Sequence, residues 1–444
     1  MEHTSIQRLL KTSPHFDLPV DLPSGNFATY AIEAADVNND GFADLVIGNR
    51  DAKNQILFND KNGGFLDAVD LPGEVSFTYS IALADINGDN NIDIVVGNFD
   101  ETPNQLLLNF GEGVFLESLD LPGHIDLTYK IALADVNSDG ALDVIVGNRS
   151  IENQLLLNRG GRDFDVRSLP GSTHMTFDLA VTDLNRDGHI DIITANRDVS
   201  FYFLINDGDG GFSDPKTIET GSSKLAQAIF AEDVNNDGWP DVVVANYGSD
   251  NQVYLNNKKR DGGFHEDEIL LPSGYKGNDS PKQSISIHAA DFNQDSAIDI
   301  VIGNHGYPNQ LLINDGRGNF ADAVDLTLSS EHKTQSICAI DLNLNGKIDI
   351  VFGNNPEANK ILMNIGNYDE DATWAGVFVD VFVWICVVSV LFVAVSYRVH
   401  NRLRMPCEHL FQTKKKVHHG SGHALDSNTF PLPINSKERE IEII

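Results

Sequence analysis

The side chains with the clearest chemistry are acidic and regularly spaced. The segment Asp36-Val-Asn-Asn-Asp-Gly-Phe-Ala-Asp44 sets side-chain oxygens at Asp36, Asn38, Asp40 and Asp44. The same pattern returns at Asp85, Asn87, Asp89 and Asp93, and at Asp135, Asn137, Asp139 and Asp143. It recurs at Asp183, Asn185, Asp187 and Asp191, and at Asp233, Asn235, Asp237 and Asp241. Two more copies are Asp291, Asn293, Asp295 and Asp299, then Asp341, Asn343, Asn345 and Asp349. Oxygens at alternating positions of a tight loop converge on one point, and the carboxylate four residues later closes the shell. Calcium takes six to eight hard oxygens at about 2.3–2.6 Å in irregular geometry, whereas magnesium wants a stricter octahedron and more water. The expectation is up to seven structural calcium sites. Glycine permits the sharp turn in most copies, with Asn90 and Ser296 in its place in the second and sixth. No glutamate stands at position twelve and the flanks read as strands, so these are not EF-hands. An Asx-rich turn without metal is the alternative; seven copies in register favour metal.

Composition narrows the field. The 444 residues carry a formal net charge of −34, with 41% hydrophobic residues. That apolar fraction supports a packed core rather than a disordered chain. The acidity excludes nucleic acid as a partner, because such binders need a basic face. Seven divalent ions would bring the charge to about −20 and relieve self-repulsion. The three cysteines, Cys338, Cys386 and Cys407, cannot build a disulfide framework.

The acidic loops are held by a repeat. Their spacings are 49, 50, 48, 50, 58 and 50 residues, the long step marking an insertion at 275–282. A period near 50 fits a four-stranded propeller blade. In the second unit, 79–84 reads as a small-residue inner strand and 94–97 as an apolar strand covered on both faces. Residues 105–108 make a third strand and 115–121 an alternating outer one. Ala82, Ala84, Ala132 and Ala134 suit an inner strand, since blades converge at the axis. The seventh unit lacks an outer strand, and Phe16-Asp-Leu-Pro-Val-Asp-Leu-Pro23 matches 65–72. This segment is expected to close the ring as the fourth strand of blade seven, leaving no open inner edge. The fold expected is all-β, a seven-bladed propeller over 16–367, with an N-terminal segment at 1–15.

After a linker at 368–374 comes AGVFVDVFVWICVVSVLFVAVSY, residues 375–397, long enough to span a bilayer as one helix. Asp369, Glu370 and Asp371 precede it; Arg398, Arg402, Arg404 and Lys414–Lys416 follow. The positive-inside rule puts the 398–444 tail in the cytoplasm and the propeller outside or in a lumen, a type I orientation. Such a topology normally needs a signal peptide, and 1–18 holds no apolar run, so the start is read as truncated. Cys407, ten residues past the span, is a candidate for palmitoylation.

The units resemble the FG-GAP-like repeat, also called the VCBS repeat, of integrin α-type seven-bladed propellers. The resemblance rests on D-x-N-x-D-G-x-x-D, the strand ending Val46-Ile-Gly-Asn49, Asn104-Gln-Leu-Leu-Leu-Asn109 and Asn314-Asp-Gly-Arg-Gly-Asn-Phe320. It implies metal loops on a lower rim and partners on the upper face. The juxtamembrane Tyr397–Arg404 lacks the integrin Gly-Phe-Phe-Lys-Arg signature, and neither a β-sandwich leg nor an inserted von Willebrand-type domain is present, so an integrin-style β partner is not expected. Two rings of side chains then fall on the upper face. One is Arg50, Phe99, Arg149, Arg197, Tyr247, His305 and Asn355; the other is Tyr30, Tyr79, Tyr129, Phe177, Gln227, Ile285 and Gln335. Arg and aromatics are the usual anchors of recognition and concentrate on blades one to four. Sequons at Asn278 and Asn148 are candidate N-glycosylation sites. No catalytic motif appears, so the expectation is not an enzyme but a calcium-stabilised, membrane-anchored propeller recognising protein or glycan ligands. A lumenal scaffold for other membrane proteins is the alternative, and a glycan-active enzyme a third.

Overall fold

The computed structural model describes residues 14–367, except 101, 126, 172–173, 198–199, 218–224, 266, 273–282, 322 and 327–332. The chain divides into two units, Met1–Asp369 and Glu370–Ile444, and every described residue belongs to the first. The apolar stretch 375–397, Cys407 and Asn278 lie outside the described residues. Among those described, no helix is long and apolar enough to cross a membrane.

Seven four-stranded antiparallel sheets form, one per repeat. In the second, Thr78–Ala84, Asp93–Asn98, Gln105–Leu107 and Leu119–Asp120 pair in that order. The second strand of every blade is buried along its length up to the terminal Asn, because it is covered by a blade on each side. Hydrophobic clusters accordingly lie between consecutive blades. Val46 and Ile56 of blade one meet Ile81, Ile94, Val96 and Leu107 of blade two. Burying each such side chain contributes about 1.5–3 kcal/mol, which is how one blade holds the next. Gly48 shows how close the approach is: a Cβ there would stand 2.8 Å from the Thr78 methyl of the following blade.

Outer strands are shorter than the alternation predicts. In blade two only Leu119 and Asp120 join the ladder, with a separate bridge from Phe115 to Asn109. In blade three all of Phe164–Ser168 pairs with Gln154–Asn158. Blade two has one more residue between its Phe and the Leu that precedes its Pro (Phe115 to Leu121, against Phe164 to Leu169). The extra residue is taken up as a bulge that interrupts pairing.

The ring closes through the N-terminus. Val20–Asp21 pairs with Lys360–Leu362 in the register Val20↔Ile361 and Asp21↔Lys360, forming the fourth strand of blade seven. Lys360 Nζ also donates to the Asp21 carboxylate. Upstream, Pro14–Phe16 pairs with Asn364–Asn367, so the closing contact reaches back beyond residue 16.

Candidate functional site

The hairpin register decides which groups share a face. Ala28 pairs with Arg50 at one end of the first two strands, and Ala35 with Asp44 at the other. The acidic loops and the Arg/aromatic rings therefore lie on opposite faces of the propeller.

At the upper face the central channel opens through a belt of aromatic rings. Tyr30 lies 4.8 Å from Phe77 and 5.2 Å from Tyr79, between ring centroids. Phe99 is 5.2 Å from Phe77, 5.5 Å from Tyr79 and 4.8 Å from Tyr129. Tyr129 meets Tyr79 edge-on at 4.7 Å and stacks on Phe177 at 4.2 Å. These distances are those of favourable aromatic pairs. Five of the six rings are half-buried, and Tyr129 is buried. Three guanidiniums cap them: Arg50 over Phe77 at 4.8 Å, Arg149 over Phe99 at 5.6 Å and Arg197 over Phe177 at 5.7 Å. All seven members of the inner ring, Tyr30, Tyr79, Tyr129, Phe177, Gln227, Ile285 and Gln335, line one cavity of about 80 Å³.

Below the belt the channel carries charge. Lys130 Nζ stands 3.4 Å from Asp178 Oδ1. Asp178 also accepts the backbone N–H groups of Leu179 and Ile229, both at 2.9 Å. The adjacent Asp178 carboxylate holds the Lys130 ammonium above its ordinary pKa. Burial raises Glu33 against the pull of Lys130, and burial with the Lys130 charge lowers His288 to about 4. The sequence reading did not single out these four residues. The available signal was a charged or imidazole side chain at positions where other blades have Ala or Ser. Phe77 was missed as well, because its equivalents in blades one, three and four are Ala28, Leu127 and Met175. Tyr247 is not brought into the belt; it pairs with Leu225 and bridges to Gln283 on the blade five side. Blade seven is tied in by Asn355, whose amide donates to the Tyr30 hydroxyl at 2.9 Å.

The acidic loops divide into two parts. Asp36 Oδ1 and Asn38 Oδ1 both accept the Asp40 N–H at 2.9 Å, and Asp36 Oδ2 accepts from Gly41 at 2.7 Å. Oxygens of positions one and three thus point at the same place. The fourth carboxylate works from inside: Asp44, fully buried, accepts the Val37 N–H at 3.2 Å and the Asn59 N–H at 2.8 Å. Burial, together with the neighbouring loop carboxylates, pushes Asp241 and Asp299 up to about 7 and Asp44, Asp93, Asp191 and Asp349 to about 6. Two loops already hold a protein cation, Lys61 at 3.3 Å from Asp40 and Lys258 at 3.1 Å from Asp237. Donor chemistry and direction fit a hard cation. In the conformation shown, no three acidic, His or Cys side chains among the described residues converge closely enough to hold one.

Asparagines join the blades. Asn49 accepts the Thr29 hydroxyl at 3.0 Å and donates to Lys53 O at 2.9 Å, while Asn54 donates to Thr78 of the next blade at 2.9 Å. The relay repeats at Asn104–Thr128, Asn153–Thr176, Asn251–Ser284 and Asn309–Thr334, and Asn359–Thr29 carries it across the closure. Near the lower rim a second set clamps the preceding acidic loop, as Asn109 does by donating to Val37 O at 2.7 Å. Asn148 belongs to the first set, and this corrects its reading as a glycosylation site. It is 1% exposed, it accepts the Thr128 hydroxyl, and its amide nitrogen donates to Glu152 O at 2.9 Å. That nitrogen cannot carry a glycan in the folded blade.

The FG-GAP-like repeat pattern matches six overlapping spans, 36–96, 85–146, 135–194, 183–244, 233–302 and 291–352. The chain belongs to the FG-GAP-like repeat family. No curated protein sequence matches it. Among solved structures, a lectin of Agrocybe aegerita that recognises non-reducing terminal N-acetylglucosamine is similar at 22% identity and TM-score 0.50, over 69% of this chain and 82% of that one. BBS1N in complex with ARL6DN is similar at 13% identity and TM-score 0.55, over 80% of this chain and 98% of that one. At these identities the likeness is one of fold.

Proposed function

We propose that this propeller is a recognition module, and that its binding surface is the mouth of the central channel on blades one to four. The observation that carries the reading is the continuous belt from Tyr30 to Phe177 with the Arg50, Arg149 and Arg197 guanidiniums over its rings. Large rigid aromatics and Arg on one face of a stiff ring provide contact area at little cost in conformational entropy. That two proteins of similar fold bind a sugar and a protein supports this reading.

Two further expectations belong to this reading. The acidic loops take structural calcium, with Asp, Asn and Asp of positions one, three and five as ligands and the buried fourth carboxylate behind them. Residues 375–397 anchor the chain in a membrane, with the propeller on the extracellular or lumenal side, where millimolar calcium matches sites of this class. The test of the recognition surface is binding of the full-length chain to cells after Tyr129→Ala and Arg149→Ala together. A true anchor pair loses at least about 1–2 kcal/mol of affinity per residue. Undiminished binding by a double variant with a native circular dichroism spectrum places the site elsewhere.

A further inference from the structure

We propose that the belt takes a sugar residue bearing a carboxylate, its ring seated on the aromatics and its acid held by Arg149 and Arg197. This rests on the channel mouth being the recognition surface and names the ligand class.

The two guanidiniums flank one phenol. Phe99 and Phe177 lie 4.8 and 4.2 Å from Tyr129, on either side, and they carry Arg149 and Arg197. Both charges reach the Tyr129 hydroxyl, where they oppose the effect of burial. Each guanidinium is held over its ring, and its planar fork of N–H donors matches a carboxylate. Arg50 already has Asp51 at 3.1 Å. Among the described residues, no carboxylate forms an ion pair with Arg149 or Arg197. In a chain of net charge −34, two such cations beside one aromatic cluster are a local exception that an acid of the ligand would complement.

The cavity walls differ in character. At the mouth blades one to four contribute rings, with Glu33, Ser80, Lys130 and Asp178 below them, while blades five to seven contribute Ile285, the amides of Gln227 and Gln335 and the hydroxyls of Ser286 and Ser336. A pyranose has the same division, with a C–H face that packs on aromatics and a rim of hydroxyls that exchange hydrogen bonds with amides. A basic side chain fits less well. The cation place below the rings is filled by Lys130, whose ammonium serves Asp178. A polyanion is disfavoured by the acidity of the whole chain, whereas one carboxylate is not.

The experiment uses the full-length chain on an array of oligosaccharide pairs that differ only in the terminal residue, glucuronate against glucose and sialic acid against galactose. Acid-terminated members of a pair should bind at least about tenfold better, and Arg149→Ala with Arg197→Ala should remove that preference. Raising salt from about 50 to about 300 mM should weaken the acid member and leave the neutral one nearly unchanged. Tyr129→Ala should abolish binding, Tyr129→Phe should retain the ring contact if the Ala variant misfolds, and Arg162→Ala on the outer turn of blade three should change nothing. Equal binding of both pair members, lost in Tyr129→Ala, overturns the carboxylate and leaves recognition at the mouth standing. Cell binding that is lost in Tyr129→Ala, without retention of any glycan, overturns the sugar alone. Binding indifferent to Tyr129→Ala and to both Arg substitutions overturns the mouth as well.

Discussion

The closing strand makes the sharpest quantitative prediction, because two of its residues face opposite environments. Leu22 is 6% exposed and packs in a cluster with Ile32, Leu45, Leu57, Cys338 and Ile361, spanning blades seven and one. Its backbone N–H donates to Asn359 O at 2.9 Å. Val20, two residues earlier, is 57% exposed. Leu22→Ala removes three buried carbons, worth roughly 2.4 kcal/mol at about 0.8 kcal/mol each. The cavity left behind adds about 1 kcal/mol, less than in a deep core because an outer strand can settle inward. The expected cost is thus about 2–4 kcal/mol, against under about 0.5 kcal/mol for Val20→Ala. Urea unfolding of both variants, followed by far-ultraviolet circular dichroism, reads the difference directly. Limited proteolysis should also cut Leu22→Ala earlier, within the freed N-terminus. Equal midpoints for the two variants refute ring closure by this segment in solution.

Two other predictions concern the lower rim. Asn158 is 1% exposed and donates to Ile86 O at 2.8 Å and Leu142 O at 3.0 Å while accepting from Gly160 and Gly161. Asn158→Ala strands several buried groups and should cost about 3–5 kcal/mol, and a loss below about 1 kcal/mol by thermal or chemical denaturation would show that the clamp is dispensable. Calcium at about 2 mM should stabilise the chain by about 0.6–1.8 kcal/mol for each occupied loop, given affinities of about 10⁻⁴–10⁻³ M. The share lost on Asp139→Ala should exceed that on Asp40→Ala or Asp237→Ala, because Lys61 and Lys258 already pair with those two carboxylates. A melting midpoint unmoved by calcium and by EDTA would sink the metal reading.

The fold was legible because it is written seven times. An apolar run of four residues between Asp and Asn is weak evidence once and strong evidence in register, and each copy became a strand buried on both faces. The inner ring was legible for the same reason: Tyr30, Tyr79, Tyr129 and Phe177 follow a Thr at the same place in four blades, and they meet at one cavity. What repetition could not convey was the work of each repeated polar residue. The Asn after each Gly or Ala reads as a mere motif letter, yet its amide satisfies a hydroxyl and a loop carbonyl, and the next Asn reaches the neighbouring blade. The fourth Asp reads as a ligand, yet its oxygens hold backbone N–H groups, one in the loop at Val136 and one on the third strand at Asn158. These contacts cross between strands or blades, and spacing along one chain does not report them.

The channel charges were illegible for the opposite reason, since each occurs once. Glu33 stands where Ala82, Ala132 and Ala180 stand in the next three blades, and Lys130 stands where Ala31, Ser80 and Ser336 do. Against a repeat, single departures read as noise. In the folded ring, however, the inner strands converge, and departures on blades one, three, four and six meet around one axis. Each would be costly alone, because an unpaired buried charge loses its hydration. Together Lys130 and Asp178 compensate one another, while burial raises Glu33 against the pull of the same ammonium and, with that ammonium's help, lowers His288. Neither Lys130 nor Asp178 can therefore be exchanged for Ala or Ser without stranding the other. Repetition built the scaffold, and the exceptions to it differentiate the floor of the mouth, so a search for function in a repeat protein gains most from the positions where the repeat is broken.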